Sequence, residues 1–171
     1  MYGASKLGGE LATRAIWPKH WILRTSWVFS AHGTNFLKTI LRLAQREPTL
    51  RVVGDQHGRP TYAGHLARLI AKLASDGVAG PALPYGTFHA VGGPAATWFD
   101  FAATIVGEAH RQGLIQQRPE IVRITTAEYP LPARRPANSV LEPSAELETP
   151  LDWRDGVRHA LGEIKARGAA G

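Results

Sequence analysis

This sequence predicts an α/β fold with a largely parallel sheet, and it does so on three grounds. Short runs rich in β-branched and aromatic residues alternate with longer runs of helical apolar spacing, the pattern of strand–helix–strand crossovers. The run Trp21–Phe29 is mostly apolar at successive positions rather than alternate ones, as a strand buried on both faces would be. Proline and glycine stand at most of the boundaries between runs, where the chain has to leave a regular element.

Taken in order, the chain opens directly in a helical pattern from Tyr2 to about Ile16, stopped by Pro18. Trp21–Phe29 is expected as one buried strand, and Ser30–Asn35, around Gly33, as a loop. Phe36, Leu37, Ile40, Leu41 and Leu43 follow helical spacing until Glu47-Pro48, because proline closes a helix by removing its N–H and clashing with the preceding turn. Leu50–Val53 is a second strand, and Gly54–Thr61 is rich in turn residues. Leu66, Leu69, Ile70 and Leu73 mark a third helix, followed by a Gly/Pro linker over 77–84. Thr87–Val91 is a third strand, and Thr97 stands where its hydroxyl can cap a helix running from Trp98 through Ala109. Ile121–Ile124 is a fourth strand. Residues 119–150 hold six of the twelve prolines and are expected as extended loop over a surface. A helix from Trp153 to about Ala166 and a frayed tail over 168–171 complete the chain. It has few good strands for a doubly wound sheet and no strand before its first helix, so it reads as the back part of something larger.

Composition removes several function classes. The 171 residues are 44% hydrophobic and 20% charged, an ordinary globular balance. There is no cysteine, which excludes disulfides, thiolate metal sites and a cysteine nucleophile. No apolar run approaches the ~18 residues of a membrane span, and no leader pattern is visible, so a cytoplasmic protein is the expectation. Twenty Lys+Arg against 14 Asp+Glu leave a net charge of +6. The basic residues are scattered, with Arg134-Arg135 the sole adjacent pair. Nucleic-acid binders concentrate such charge on a stripe or interleave it with exposed aromatics, so no nucleic-acid partner is expected. The seven histidines show no ligand spacing, and no metal is expected.

Tyr2 and Lys6 form a Tyr-x-x-x-Lys. On a helix, residues four apart share a face, and an ammonium beside a phenol favours the phenolate. Such a pair suits a general acid that hands a proton to a developing alkoxide. Tyr2-Gly3 through Gly9-Glu10 is followed by Arg24-Thr25-Ser26-Trp27-Val28, Gly33-Thr34-Asn35-Phe36 and Asp55-Gln56-His57-Gly58-Arg59-Pro60-Thr61. Further on come Gly86-Thr87-Phe88-His89, Trp98-Phe99-Asp100-Phe101-Ala102 and Arg135-Pro136-Ala137-Asn138-Ser139. This ordered set, covering roughly Tyr2 to Leu161, resembles the dTDP-4-dehydrorhamnose reductases, a family of extended short-chain dehydrogenase/reductases.

The resemblance implies a fold made of the C-terminal part of a Rossmann-type parallel sheet plus a smaller substrate-binding subdomain. About residues 1–60 would form the partial Rossmann segment and about 61–165 the sugar-nucleotide part, the two interleaved. It implies reduction of the 4-keto group of dTDP-4-dehydro-L-rhamnose by NADPH or NADH. Tyr2 would be the proton donor, and Lys6 would hold the nicotinamide ribose and tune Tyr2; both are thus catalytic and cofactor-binding candidates. Trp27 and Arg135 would bind the nucleotide sugar. A non-catalytic binding subunit of the same family, or another sugar-nucleotide epimerase or dehydratase, stays open at this point.

Three departures accompany the match. Phe29-Ser30 replaces the family's usual Tyr-Gly. Tyr62-Ala63-Gly64-His65 carries no carboxylate where magnesium-dependent members place one near a subunit contact. No Gly-x-Gly-x-x-Gly occurs, so the turn that cradles a dinucleotide pyrophosphate is not found in this chain. The sequence is therefore expected to be the C-terminal portion of such a reductase, with self-association through an exposed sheet edge, Trp21–Phe29, as a consequence.

Overall fold

The structure, a computed structural model, describes residues 1–79, 83–130, 132, 133, 135–147 and 152–168. Residues 80–82 of the expected linker, Arg134 and the tail over 169–171 lie outside the described residues. The elements are α1 (Tyr2–Ile16), β1 (Trp21–Arg24), β2 (Val28–Phe29), α2 (Phe36–Ala44), β3 (Thr49–Val53), β4 (His57–Gly58), β5 (Thr61–Tyr62) and α3 (Ala63–Ala79). They continue with β6 (Gly86–His89), β7 (Ala96–Thr97), α4 (Trp98–Arg111), β8 (Glu120–Ile124), a 3-10 turn (Thr126–Glu128) and α5 (Trp153–Gly168).

The α/β class holds and the strand pairing is mainly parallel, but the strands form separate pairs rather than one sheet. β1 pairs with β6, β2 with β5 and β3 with β8, all parallel, while β4 and β7 are antiparallel. The single strand expected over Trp21–Phe29 is corrected to two, because the chain turns between them. Trp27 has a φ of 47°, a left-handed conformation that is a genuine outlier for a bulky residue. Contacts from a distant segment hold the turn: the Ser26 hydroxyl donates to the Arg59 carbonyl at 3.0 Å, and the Thr61 N–H donates to the Trp27 carbonyl at 3.2 Å. The chain thereby leaves β6 and joins β5.

Two other boundaries move. α2 ends at Ala44, before the expected Glu47. α3 runs on to Ala79, so Gly77 is helical rather than linker. The Trp21 ring lies close enough over Gly77 that a Cβ there would stand 2.9 Å from it.

Apolar burial is divided between two clusters. The larger gathers Phe29, Leu37, Phe101, Ile105, Trp153 and Leu161 from β2, α2, α4 and α5. The smaller joins Leu73, Leu83 and Phe88 with Trp21 and Leu23, and so sits where α3 covers the β1–β6 pair. α4 begins with the cap its sequence announces: the Thr97 hydroxyl accepts from the Asp100 N–H, and the Asp100 carboxylate accepts from the Thr97 N–H. The described part of the proline-rich region does run extended over other elements. Ala137 and Ser139 hydrogen-bond the His57 backbone, and Ser144 bonds the backbone of His89.

Candidate functional site

Tyr2 and Lys6 lie on one exposed face of α1, with the Lys6 ammonium 5.5 Å from the centre of the Tyr2 ring. None of the helix's residues is buried, so polar links hold it in place. The Arg24 guanidinium donates to both carboxylate oxygens of Glu10, at 2.8 and 2.7 Å, and Arg14 donates to the Thr87 hydroxyl at 2.8 Å. The Arg24 hydrogen bonds hold the Glu10 carboxyl below its ordinary value. α1 is therefore moored to β1 and β6 while its Tyr2 end stays open.

Trp27 stands apart from that pair. Its indole lies flat on Trp98, with ring centres 3.5 Å apart and planes within 7°, and Phe36 tilts against Trp98 at 4.6 Å. The Gly58 backbone approaches the same indole so closely that a Cβ there would overlap Cε2, with Cζ2 and Nε1 each 2.5 Å away. Gly58 belongs to β4, whose other residue, His57, is bridged to Asn138. Arg135 is exposed just upstream of that bridge. The fold thus gathers Trp27, the Asp55–Thr61 loop and residues 137–139, with Arg135 two residues upstream of that contact. Among the described residues no hydrogen bond or ring contact joins Tyr2 or Lys6 to this group.

A second phenol near these elements is enclosed and partnered. Tyr62 donates its hydroxyl to Glu163 at 2.6 Å, and burial, together with that carboxylate, pushes the phenol up to about 12. The Tyr62 hydroxyl is held by that carboxylate, whereas Tyr2 is exposed. Tyr62, His65, Arg68 and His89 help line a cavity of about 200 Å³ between α3 and the end of β6. Burial lowers the His65 imidazole from its ordinary value. That cavity takes in none of Tyr2, Lys6, Trp27 or Arg135. Among the described residues no group of three His, Asp or Glu converges as metal ligands would.

Sequence reasoning placed Trp98 in the apolar stripe of a helix and Gly58 in a turn. Their joint hold on Trp27 was not visible, because nothing in local spacing reports a contact between residues so far apart in the chain.

Residues 1–166 match the family model of the RmlD substrate binding domain. The chain belongs to that family. The dTDP-4-dehydrorhamnose reductase of Aggregatibacter actinomycetemcomitans is 41% identical over 163 residues, which is 93% of this chain and 55% of that protein. The reductase of the same name from Salmonella typhimurium is 40% identical, with 96% and 56% covered. Among solved structures, a dTDP-4-dehydrorhamnose reductase from Bacillus anthracis in complex with NADP superposes with a TM-score of 0.82 at 31% identity. That superposition covers 95% of this chain and 55% of the other. The chain thus spans about half the length of the RmlD-family relatives it matches.

Proposed function

We propose that this chain carries the acid–base pair and the sugar-nucleotide-binding part of a reductase that converts dTDP-4-dehydro-L-rhamnose to dTDP-L-rhamnose with NADPH or NADH. The observation that carries the reading is the Tyr2–Lys6 pair, open on one face of a helix moored to the β1–β6 pair. The names of the matched relatives supply the substrate. The donor set fits the ribose end of such a cofactor: Lys6 is exposed and has no carboxylate partner among the described residues. Reduced nicotinamide, when bound, supplies the hydride that adds to C4 of the sugar. Tyr2 gives its phenolic proton to O4 as the carbonyl becomes an alcohol, and Lys6 stabilises the phenolate left behind. Trp27 and Arg135 bind the nucleotide sugar, Arg135 through charge-assisted hydrogen bonds to phosphate oxygens.

On this reading about residues 1–60 belong to the dinucleotide part and about 61–165 to the sugar-nucleotide part, and the two interleave: β1 packs with α3 and β6 in the smaller apolar cluster, and β2 and α2 pack with α4 and α5 in the larger. Among the described residues β1 pairs with β6 alone, and its other edge supports self-association. A cytoplasmic location fits a nucleotide-sugar reductase, and among the described residues no helix is long and apolar enough to cross a membrane.

The test is reduction of the dTDP-4-keto sugar, followed by loss of reduced-nicotinamide absorbance, with the chain alone and with the N-terminal half of a matched reductase supplied. Tyr2→Phe keeps the ring and removes only the hydroxyl, so turnover should fall ~10²–10⁴-fold while binding survives. Lys6→Met should lower turnover and cofactor affinity together. Trp27→Ala should raise KM more than it lowers kcat. Parent-like turnover by Tyr2→Phe would refute the assignment of Tyr2 and favour a binding subunit.

A further inference from the structure

The arrangement around Trp27 restricts how that residue can meet a ligand. Trp98 covers one face of its indole almost completely, because ring centres 3.5 Å apart with planes 7° from parallel leave little lateral offset. The Gly58 approach is also to a face. A Cβ there would be nearest to Cε2 and farther from the two neighbours bonded to it on the outer rim, Cζ2 and Nε1. An approach in the ring plane would reach Nε1 or Cζ2 first. Backbone cannot fit between two rings in van der Waals contact, so Gly58 must lie on the face opposite Trp98. Both faces of the indole are occupied, yet Trp27 is only partly buried.

We infer that Trp98 is a positioning residue: with the Gly58 backbone it clamps the Trp27 indole by its two faces, so that a nucleotide sugar meets the edge of Trp27 and does not stack on it. The proposal rests on the reading of Trp27 as a nucleotide-sugar residue. Two further features fit a clamp. Trp27 holds a left-handed φ of 47°, which costs free energy and persists only where the surroundings enforce it. Trp98 is the first residue of α4, enclosed within the Thr97–Asp100 capping box. Asp100 is in turn tied to Arg123 at 3.2 Å, so the base of the clamp is itself held. An edge-on indole offers a shallow apolar rim, which suits the flank of a deoxysugar better than the flat face of a base.

The test uses the 171-residue chain titrated with dTDP-L-rhamnose and followed by NMR, with the Trp27 indole signals assigned through Trp27→Phe. In the parent, the Trp27 indole should carry upfield ring-current shifts from Trp98. Ligand should move those indole signals, while its own thymine and sugar protons show no upfield stacking shift. Trp98→Ala should abolish the ring-current shifts and weaken binding roughly tenfold, the worth of one aromatic pair. Trp98→Phe, which keeps an aromatic face, should recover most of the affinity. Trp98→Leu replaces the alanine variant if that one fails to fold, judged by the Trp153 indole signal. Parent-like affinity in a folded Trp98→Ala or Trp98→Leu, or upfield-shifted ligand protons in the parent, would overturn the clamp alone. No binding, or binding that leaves the Trp27 signals still, would overturn the reading of Trp27 on which it rests.

Discussion

At Gly92 the chain leaving β6 lies against the backbone of Pro60, and its N–H donates to the buried Thr61 hydroxyl at 3.1 Å. A Cβ there would overlap the Pro60 carbonyl oxygen, which belongs to main chain and cannot swing aside. Gly92→Ala should therefore force the two segments apart at a cost of ~3 kcal/mol, the upper range for inserting one carbon into packed structure. For a chain of this size that lowers Tm by roughly 6–12 °C, readable by calorimetry; a shift within a degree of the parent would mean the segments part easily. Gly3, whose Cβ would meet nothing within 4 Å, is the control, since Gly3→Ala in an exposed helix should stabilise slightly. The contrast matters for the site, because Arg59 and Thr61, on either side of Pro60, hold the Trp27 turn.

Among the elements, α4 places Trp98 and depends on its cap. Burial pulls the Asp100 carboxyl upward, but hydrogen bonds from the Thr97 hydroxyl and backbone, aided by Arg123, bring it below its ordinary value overall. A carboxyl lowered in the folded state stabilises that state fully above its unfolded value of about 4, and the contribution is lost as pH falls through the lower folded value. Asp100→Asn should thus be less stable than the parent by about 1 kcal/mol at neutral pH, and the gap should narrow as the solution is acidified below pH ~4. Paired denaturant melts across that range measure it; a gap that stays constant with pH would show that the charge contributes nothing.

This helix was legible in the sequence because its signals are local: Thr97 at the cap, Asp100 three residues on, and apolar residues at helical spacing. The Tyr2–Lys6 pair was legible for the same reason, since helical periodicity alone sets their shared face. The break at Trp27 was not, because residues 59–61 impose it from across the fold. β4, β5 and β7 have two residues each, too few to show any period. What partners the Trp27 ring is likewise a tertiary fact, carried by Trp98 and Gly58.

At the scale of the molecule, the apolar surface is unevenly covered. The larger cluster encloses side chains such as Phe101 and Trp153 at 0% exposure, whereas on α1 Leu7 is 49% and Leu11 54% exposed. α1 buries none of its residues, although helices owe most of their stability to the face they pack. Beside it, β1 pairs with β6 and, among the described residues, with no other strand. An open strand edge next to an uncovered apolar helix is a surface that a second copy can use, through strand pairing and burial of the Leu7–Leu11 stripe. The edge available is shorter than the sequence implied, Trp21–Arg24 alone, since the turn at Trp27 diverts the chain to β5. The chain should therefore self-associate reversibly in a concentration-dependent way, seen as a rising weight-average mass in sedimentation equilibrium. Leu7→Glu with Leu11→Lys should shift it toward monomer without disturbing the larger cluster, because neither side chain reaches that core. Moderate salt should leave association intact if apolar burial drives it, since screening acts on exposed charges. A parent chain that stays monomeric at all concentrations and melts in one sharp transition would show that α1 and the β1 edge are stable uncovered, and the self-association proposal would fall.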